Sequence, residues 1–143
     1  MTRGTFSEID HAADLGLDLT GPDPGAILEA AQRGLVGVLF GEAPAVRAEG
    51  ERAVELVAES YPELLKSWLE RLYRMLEEDA FVPVETIVER SDPSGFRAVV
   101  GGARVAPETL AAASELKAVT WHQLAFAPDP ERGGWRARVI FDV

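Results

Sequence analysis

The chain has 143 residues, the length of one globular domain, with 47% hydrophobic and 27% charged residues, the composition of an ordinary water-soluble protein. It has no cysteine and only two histidines, which excludes disulfides, thiolate catalysis and sulfur-ligated zinc and favours oxygen ligands for any metal. Its net charge of −10 and its lack of a basic stripe argue against free-standing nucleic-acid binding, and an acidic surface suits a basic partner.

Two short strands are predicted at the start of the chain, over residues 6–9 and 15–19. Apolar and polar residues alternate in the second of these segments, as expected for a half-buried strand. Between the two strands lie Asp10, His11 and Asp14, in a stretch that has the composition of a connection.

The first helix is predicted to begin after a Gly-Pro break and to end at Gly41. Asp23 can cap its first turn, and Pro24 suits the first helical position. Gly34 and Gly37 lie within its apolar stripe, and we interpret them as close-packing positions against a sheet.

Residues 46–58 predict a long strand, and a second amphipathic helix follows it. Ser60 and Glu63 form a capping-box pattern, and apolar residues recur at helical spacing over 64–76. The remainder is predicted to be β-structure, with turns at 92–95 and 128–134. The predicted strands are 81–89, 96–100, 115–126 and 135–141.

This order of elements predicts an α+β fold in a single domain over residues 1–143. Two helices cannot cover both faces of such a large sheet, so we expect two layers, with a mixed or antiparallel sheet and both α-helices on one face. The N-terminus lacks the apolar stretch of a signal peptide, and no apolar run approaches the length of a membrane span. We therefore expect a cytoplasmic protein without membrane contact.

Three segments carry side chains that could support chemistry. The connection 10–14 holds two carboxylates and a histidine, although a short loop with Asp is usually only a turn. Asp142 and the terminal carboxylate of Val143 place two anions side by side, and a bound cation would stabilise both, although chain ends commonly fray. The segment 115–122 holds Lys117 and His122, or is simply a half-buried strand. No Ser-His-Asp order, G-x-S-x-G elbow or P-loop is present in the sequence.

Taken together and in order, these segments resemble the archease family. The resemblance covers essentially the whole chain. It rests on His11-Ala12-Ala13-Asp14-Leu15-Gly16, on Leu64-Leu65 and Trp68-Leu69, on Leu116-Lys117-Ala118-Val119-Thr120-Trp121-His122 with Glu115 before it, and on the terminal Asp142-Val143. The chain departs from the family pattern at Ala12, where Thr is usual, at Gly102, where Glu is common, and over 107–113, where a His often occurs.

The resemblance implies an accessory protein that is not an enzyme by itself. Archeases stimulate RtcB-type RNA ligases, which splice tRNA and repair RNA with GTP and Mn²⁺, by promoting guanylylation and multiple turnover. The family also implies a divalent-cation site for Ca²⁺, or alternatively Mg²⁺ or Mn²⁺, formed here by Asp14, Asp142 and Val143. Lys117 and His11 are then the residues for partner activation, and RNA is contacted only through the ligase.

Two alternatives stay open from the sequence. A chaperone-like binding module, for example for an RNA-modifying methyltransferase, would carry a purely structural metal and would not need Asp14 or Asp142 for binding. A small hydrolase using Asp14 and His11 as an acid/base pair would turn over its substrate without any partner. The oligomeric state is not predicted by any of these patterns.

Overall fold

The computed structural model describes residues 3–11, 14–42 and 44–143. The helices are α1 (Pro24–Phe40), α2 (Tyr61–Asp79) and α3 (Pro107–Ala111). The strands are β1 (Thr5–His11), β2 (Asp14–Gly21), β3 (Gly50–Leu56), β4 (Phe81–Arg90), β5 (Phe96–Arg104), β6 (Ala118–Val119), β7 (Ala125–Pro128) and β8 (Trp135–Asp142). None of the helices in these ranges combines the length and hydropathy that a membrane crossing requires.

The strands form two antiparallel sheets. Five strands make the first sheet, in the order β1-β2-β8-β6, with β7 pairing to β8 on the same side as β6. The second sheet has three strands in the order β3-β5-β4. The predicted α+β class is therefore confirmed, with two antiparallel sheets in place of one, and both α1 and α2 contact each sheet.

Helix α1 begins and ends where its sequence predicts. The Asp23 carboxylate accepts a hydrogen bond from the Ala26 N–H at 2.9 Å, and Gly41 closes the helix with a positive φ of 73°. Gly34 packs against Leu17 of β2, so close that a methyl group would collide with it. The predicted close packing against a sheet is confirmed at this position.

Helix α2 supplies much of the core. The Glu63 N–H donates a hydrogen bond to the Ser60 hydroxyl, and the Glu63 carboxylate accepts one from the N–H of Glu59 at 2.9 Å. Trp68 is fully buried, stacks edge-on against Phe96, and donates its indole N–H to the Leu28 carbonyl of α1 at 2.9 Å. The buried residues of both helices and both sheets form one continuous cluster.

Several predicted boundaries are wrong. The predicted strand 115–126 is instead two short strands. Leu116 and Val119 are both buried although they are three residues apart, which does not match the two-residue period of a strand. In addition, Gln123 adopts a positive φ of 54°, which interrupts the extended backbone. The predicted strand 46–58 is shortened to β3. The connection predicted over 10–14 shrinks because β1 continues through residue 11 and β2 begins at residue 14. Helix α3 was not predicted from its short sequence.

Candidate functional site

The candidate site lies at one end of the five-stranded sheet, where the ends of four strands meet. In the backbone register, residue 14 at the start of β2 lies opposite residue 142 at the end of β8. Residue 142 also lies opposite residue 118 at the start of β6, and residue 14 lies opposite residue 11 at the end of β1. The topology therefore brings residues 11–14, 118 and 142, which belong to three of the sequence motifs, to the same end of the sheet.

The C-terminal residues are fixed by the strand that carries them. Phe141 is fully buried, whereas Asp142 is exposed, as the alternation of a β-strand requires. Val143 is half-buried and packs against the hydrophobic core. The exposed carboxylate of Asp142 thus lies between two residues, Phe141 and Val143, that pack into the hydrophobic core.

Lys117 is held in place through its backbone. Its N–H donates to the Asp142 carbonyl at 2.8 Å, and the preceding Leu116 N–H donates to the Tyr73 hydroxyl of α2 at 3.1 Å. After β6, the N–H and the hydroxyl of Thr120 both donate to the Ile140 carbonyl. The Lys117 side chain itself is exposed and lines a groove of about 300 Å³ against the outer side of α2. Sequence reasoning missed Tyr73, since nothing in its local pattern signals a long-range hydrogen bond.

Trp121 and His122 follow in the loop after β6, and both are exposed. Trp121 is 64% exposed, and the Lys66 ammonium lies 5.1 Å from the centre of its ring. The imidazole of His122 lies 3.3 Å from the side-chain amide of Gln123. A 64% exposed Trp is unusual for a side chain with such a large apolar area.

The opposite end of the same sheet carries arginines. Arg138 of β8 forms a two-point ion pair with Asp18 of β2, at 2.7 and 2.9 Å, and this pairing raises the pKa of the Arg138 guanidinium. Near it, the Asp129 carboxylate accepts hydrogen bonds from the N–H groups of Arg132 and Glu131 in its own turn. These bonds, the Arg132 one foremost, lower the pKa of Asp129 below its ordinary value of 3.8.

The chemistry of the acidic end fits an oxygen-bound cation. In the part of the chain whose side chains are described, no three acidic or histidine side chains come together as a metal cluster. The side chains of His11 and Asp14 lie outside that part, so their predicted roles remain predictions. Asp142 presents an exposed carboxylate, the kind of oxygen group that hard cations prefer, and the backbone register sets position 14 directly across from it.

The structure places the departures at Gly102 and over 107–113 on β5 and around helix α3. Gly102 belongs to β5 of the three-stranded sheet, where any side chain would collide with the Val82 carbonyl oxygen and the Phe81 ring. A glutamate is therefore not accommodated at position 102 in this chain. Helix α3 occupies most of 107–113 and carries no histidine.

The fold and this site define a small α+β protein that presents a carboxylate-bearing strand end beside an exposed lysine, without a catalytic constellation among the described side chains. The model of the archease protein family (MTH1598/TM1083) matches residues 6–143. A protein named archease from Methanosarcina mazei is 30% identical over 142 residues, which cover 96% of this chain and 95% of that protein. The chain therefore belongs to the archease family.

Further comparisons agree with this assignment. An archease from Methanosarcina acetivorans is 29% identical over 142 residues, covering 96% of this chain and 95% of that protein. The solution structure of Methanobacterium thermoautotrophicum protein 1598 superposes with a TM-score of 0.77 at 27% identity, covering 96% of this chain and 98% of that one. The crystal structure of a Thermotoga maritima archease, described as a possible chaperone, shares the fold with a TM-score of 0.64 at 18% identity and 94% coverage of each chain.

Proposed function

We propose that this protein is an accessory factor of an RtcB-type RNA ligase and that its acidic sheet end binds a divalent cation needed for that role. Membership of the archease family supports an accessory, chaperone-like role in general. The observation that carries the finer proposal is the backbone register that aligns residues 14, 142 and 118 on three adjacent strands. Residues more than a hundred positions apart in sequence meet there.

The strand register explains why a cation would bind between residues 14 and 142. Directly opposed residues on antiparallel strands have Cβ atoms about 4.5–5.5 Å apart. Two carboxylates at that separation repel each other, and a Ca²⁺ ion with oxygen ligands at about 2.3–2.6 Å can bridge them. We assign Asp14 and Asp142 as the ligands, with Val143 contributing a backbone or terminal oxygen. Ca²⁺, Mg²⁺ and Mn²⁺ all suit this set of oxygen ligands.

Lys117 and the cation would act on the partner from the same edge. The Lys117 N–H and the Asp142 carbonyl are hydrogen-bonded at 2.8 Å, so the positions of the lysine and of the proposed ligand are coupled. The exposed Lys117 ammonium is then free to meet an anionic group of the ligase–GTP complex, and His11 lies at the adjacent strand end in the register. The net charge of −10 favours approach to a basic, RNA-binding ligase.

The cation is tested by thermal unfolding of the purified protein with and without Ca²⁺, Mg²⁺ or Mn²⁺. At a free concentration about 100 times the Kd, linkage predicts about 2.7 kcal/mol of stabilisation. Asp142→Asn and Asp14→Asn should lose this stabilisation. Asp92→Asn is the matched control, because Asp92 is exposed and pairs only weakly with Arg90 at 3.4 Å. Equal stabilisation of the Asp142→Asn variant would contradict the assignment.

The partner is tested by the rate at which the cognate ligase is guanylylated from labelled GTP in the presence of Mn²⁺. The wild-type protein should accelerate the reaction, whereas Asp142→Asn and Lys117→Ala should not, with unchanged circular dichroism. An equal acceleration by these variants and by Asp92→Asn would show that this edge is not the activating surface.

A second candidate is a chaperone-like module for another partner, such as an RNA-modifying methyltransferase. The exposed Trp121 favours it, because a large exposed aromatic side chain is a frequent anchor in protein interfaces. This candidate predicts that the protein suppresses aggregation of the partner and that Asp142→Asn does so as well as wild type. The Asp142→Asn variant therefore distinguishes the two proposed functions.

A further inference from the structure

A groove crosses the end of the five-stranded sheet that lies farthest from Asp142. It consists of two adjoining hollows of about 570 and 410 Å³, which share Thr20, Asp129 and Arg132. Arg136 lines the first hollow and Arg3 lines the second. We call this feature the arginine groove.

The acids of the arginine groove are largely engaged by other groups. Asp18 is paired with Arg138 through both of its carboxylate oxygens. Asp129 accepts two backbone N–H groups of its own turn. Glu131 is the third acid that lines the groove. The lining holds four arginines, Arg3, Arg132, Arg136 and Arg138, against these three carboxylates, so the groove carries a net positive charge of one.

In the part of the chain that the structure describes, three guanidinium groups of the groove lack a close ion-pair partner, and two of them, those of Arg132 and Arg136, lie near enough to Asp129 to help lower the pKa of its carboxyl. Within the described residues, no ion pair involves Arg3, Arg132 or Arg136, and all three side chains are exposed. The hydroxyls of Thr5 and Thr20 lie in the same groove, hydrogen-bonded to each other. In a chain of net charge −10, such a concentration of free arginines is a local exception.

We propose that the arginine groove binds the phosphodiester backbone of single-stranded RNA directly, which departs from the expectation that RNA is contacted only through the ligase. The choice of RNA as the anion rests on the proposed function, since the substrate of the ligase is an RNA. The spread of three exposed guanidiniums over two open hollows suits an extended polyanion, which is bound mainly by charge and counterion release. One phosphate held alone would instead need several donors converging on one buried point.

The groove lies on the same strand as the acidic end but well away from it. Arg136 and Asp142 are six residues apart on β8, which corresponds to about 20 Å along an extended strand. An RNA held at the arginine groove would extend past the surface that we assign to the ligase. Trp135 lines the second hollow while its ring packs against Tyr61 and Phe126. Because the proposed contacts are made to the phosphate backbone, binding should be largely independent of base sequence.

The test is fluorescence anisotropy of a labelled RNA of about ten nucleotides with the purified full-length protein, without ligase and at low ionic strength. Arg132→Gln combined with Arg136→Gln should weaken binding by at least about tenfold and lower the slope of log K against log salt by about 1.4. The control is Arg90→Gln combined with Arg97→Gln, which removes the same charge from the three-stranded sheet. Thermal unfolding of both double variants should match wild type, because all four side chains are exposed.

Three results would overturn the proposal. They are no binding by the wild type at low salt, an equal loss in the control variant, and displacement of the RNA by a polyglutamate peptide as effective as displacement by unlabelled RNA. The last result would assign the groove to an acidic protein segment. Because the assay contains no ligase, RNA binding that depends on Arg132 and Arg136 supports the groove even where the chain fails to activate a ligase.

Discussion

Replacing Gly16 with alanine should weaken the protein next to its proposed cation site. Gly16 lies on β2 opposite Ile140 of β8, two residues from position 14. A Cβ atom at Gly16 would lie 2.6 Å from the Val139 carbonyl oxygen and 2.8 Å from Cδ1 of Ile140. The Ile140 side chain can rotate away, but the Val139 carbonyl belongs to the backbone of the paired strand. The methyl group therefore has to push β2 and β8 apart.

The expected loss of stability follows from this collision with the backbone of β8. Overpacking that forces a backbone shift costs about 1–3 kcal/mol. For a chain of 143 residues this corresponds to a fall in Tm of roughly 3–10 °C. Since residue 14 opposes residue 142 only two positions away, the cation-dependent rise in Tm should also shrink.

Gly37→Ala is the matched control, because the same change should act in the opposite direction. Gly37 lies in α1, and a Cβ atom there would meet the Phe6 ring at 3.7 Å, an ordinary contact distance. Alanine in a helix interior is favoured over glycine by about 0.8–1 kcal/mol, so Tm should rise. Differential scanning calorimetry of both variants measures the two effects. A Gly16→Ala protein as stable as wild type would refute the tight apposition of β2 and β8.

Three further predictions concern the surroundings of the site. Tyr73→Phe removes the acceptor of the Leu116 N–H and should cost about 1–3 kcal/mol in urea unfolding while reducing guanylylation of the ligase; a loss of activation without any loss of stability would contradict the anchoring role. Trp121→Ala should change stability by less than about 1 kcal/mol, yet raise the concentration needed for half-maximal activation without changing the maximal rate. The pKa of Asp129 is lower in the folded protein than the ordinary 3.8, so its stabilisation is present above pH 3.8 and is lost as the pH falls through the lowered value. The protection factor of the Arg132 amide, its intrinsic exchange rate divided by the observed rate, should therefore fall only in that acidic range, and Asp129→Asn should abolish this fall.

The local signals of the sequence predicted the helices well and the sheets less well. Asp23, Ser60 and Gly41 act within one turn of the helix ends that they define, so the bounds of α1 and α2 follow from neighbouring residues. Strand pairing is a long-range choice. No local pattern in residues 81–104 indicates whether the strands there pair with β3 or with β8. The division into two sheets could therefore not be predicted.

The segment 115–126 shows how a local pattern can mislead. Its alternation of apolar and polar residues satisfies the template of a strand, yet burial there follows Leu116 and Val119, and the chain turns at Gln123. The contacts that fix the segment come from Tyr73, Ile140 and Asp142, which lie in distant parts of the sequence. Tertiary hydrogen bonds overrode the local pattern.

The residues of the proposed site were selected from the sequence, but the place where the strand register brings their positions together could not be predicted from it. The sequence supplied Asp14, Lys117 and Asp142 through three separate motifs, and the antiparallel register of β2, β8 and β6 supplied their common edge. The arginine groove was missed because the segment that holds Arg132, Arg136 and Arg138 is flanked by acids at 129, 131 and 142. The pairing of Asp18 with Arg138, which leaves Arg132 and Arg136 as the exposed arginines of the proposed groove, joins residues 120 positions apart and has no local signal.

The most direct test of the proposed function is ligation of an RNA with a 3′-phosphate to an RNA with a 5′-hydroxyl by the cognate ligase, with substrate in large excess over ligase. With GTP and Mn²⁺ present, the wild-type protein should let each ligase molecule make many products, and the Asp142→Asn variant should leave it near a single turnover. If the number of products per ligase is the same with and without the wild-type protein, the chain is not the activating partner of that ligase.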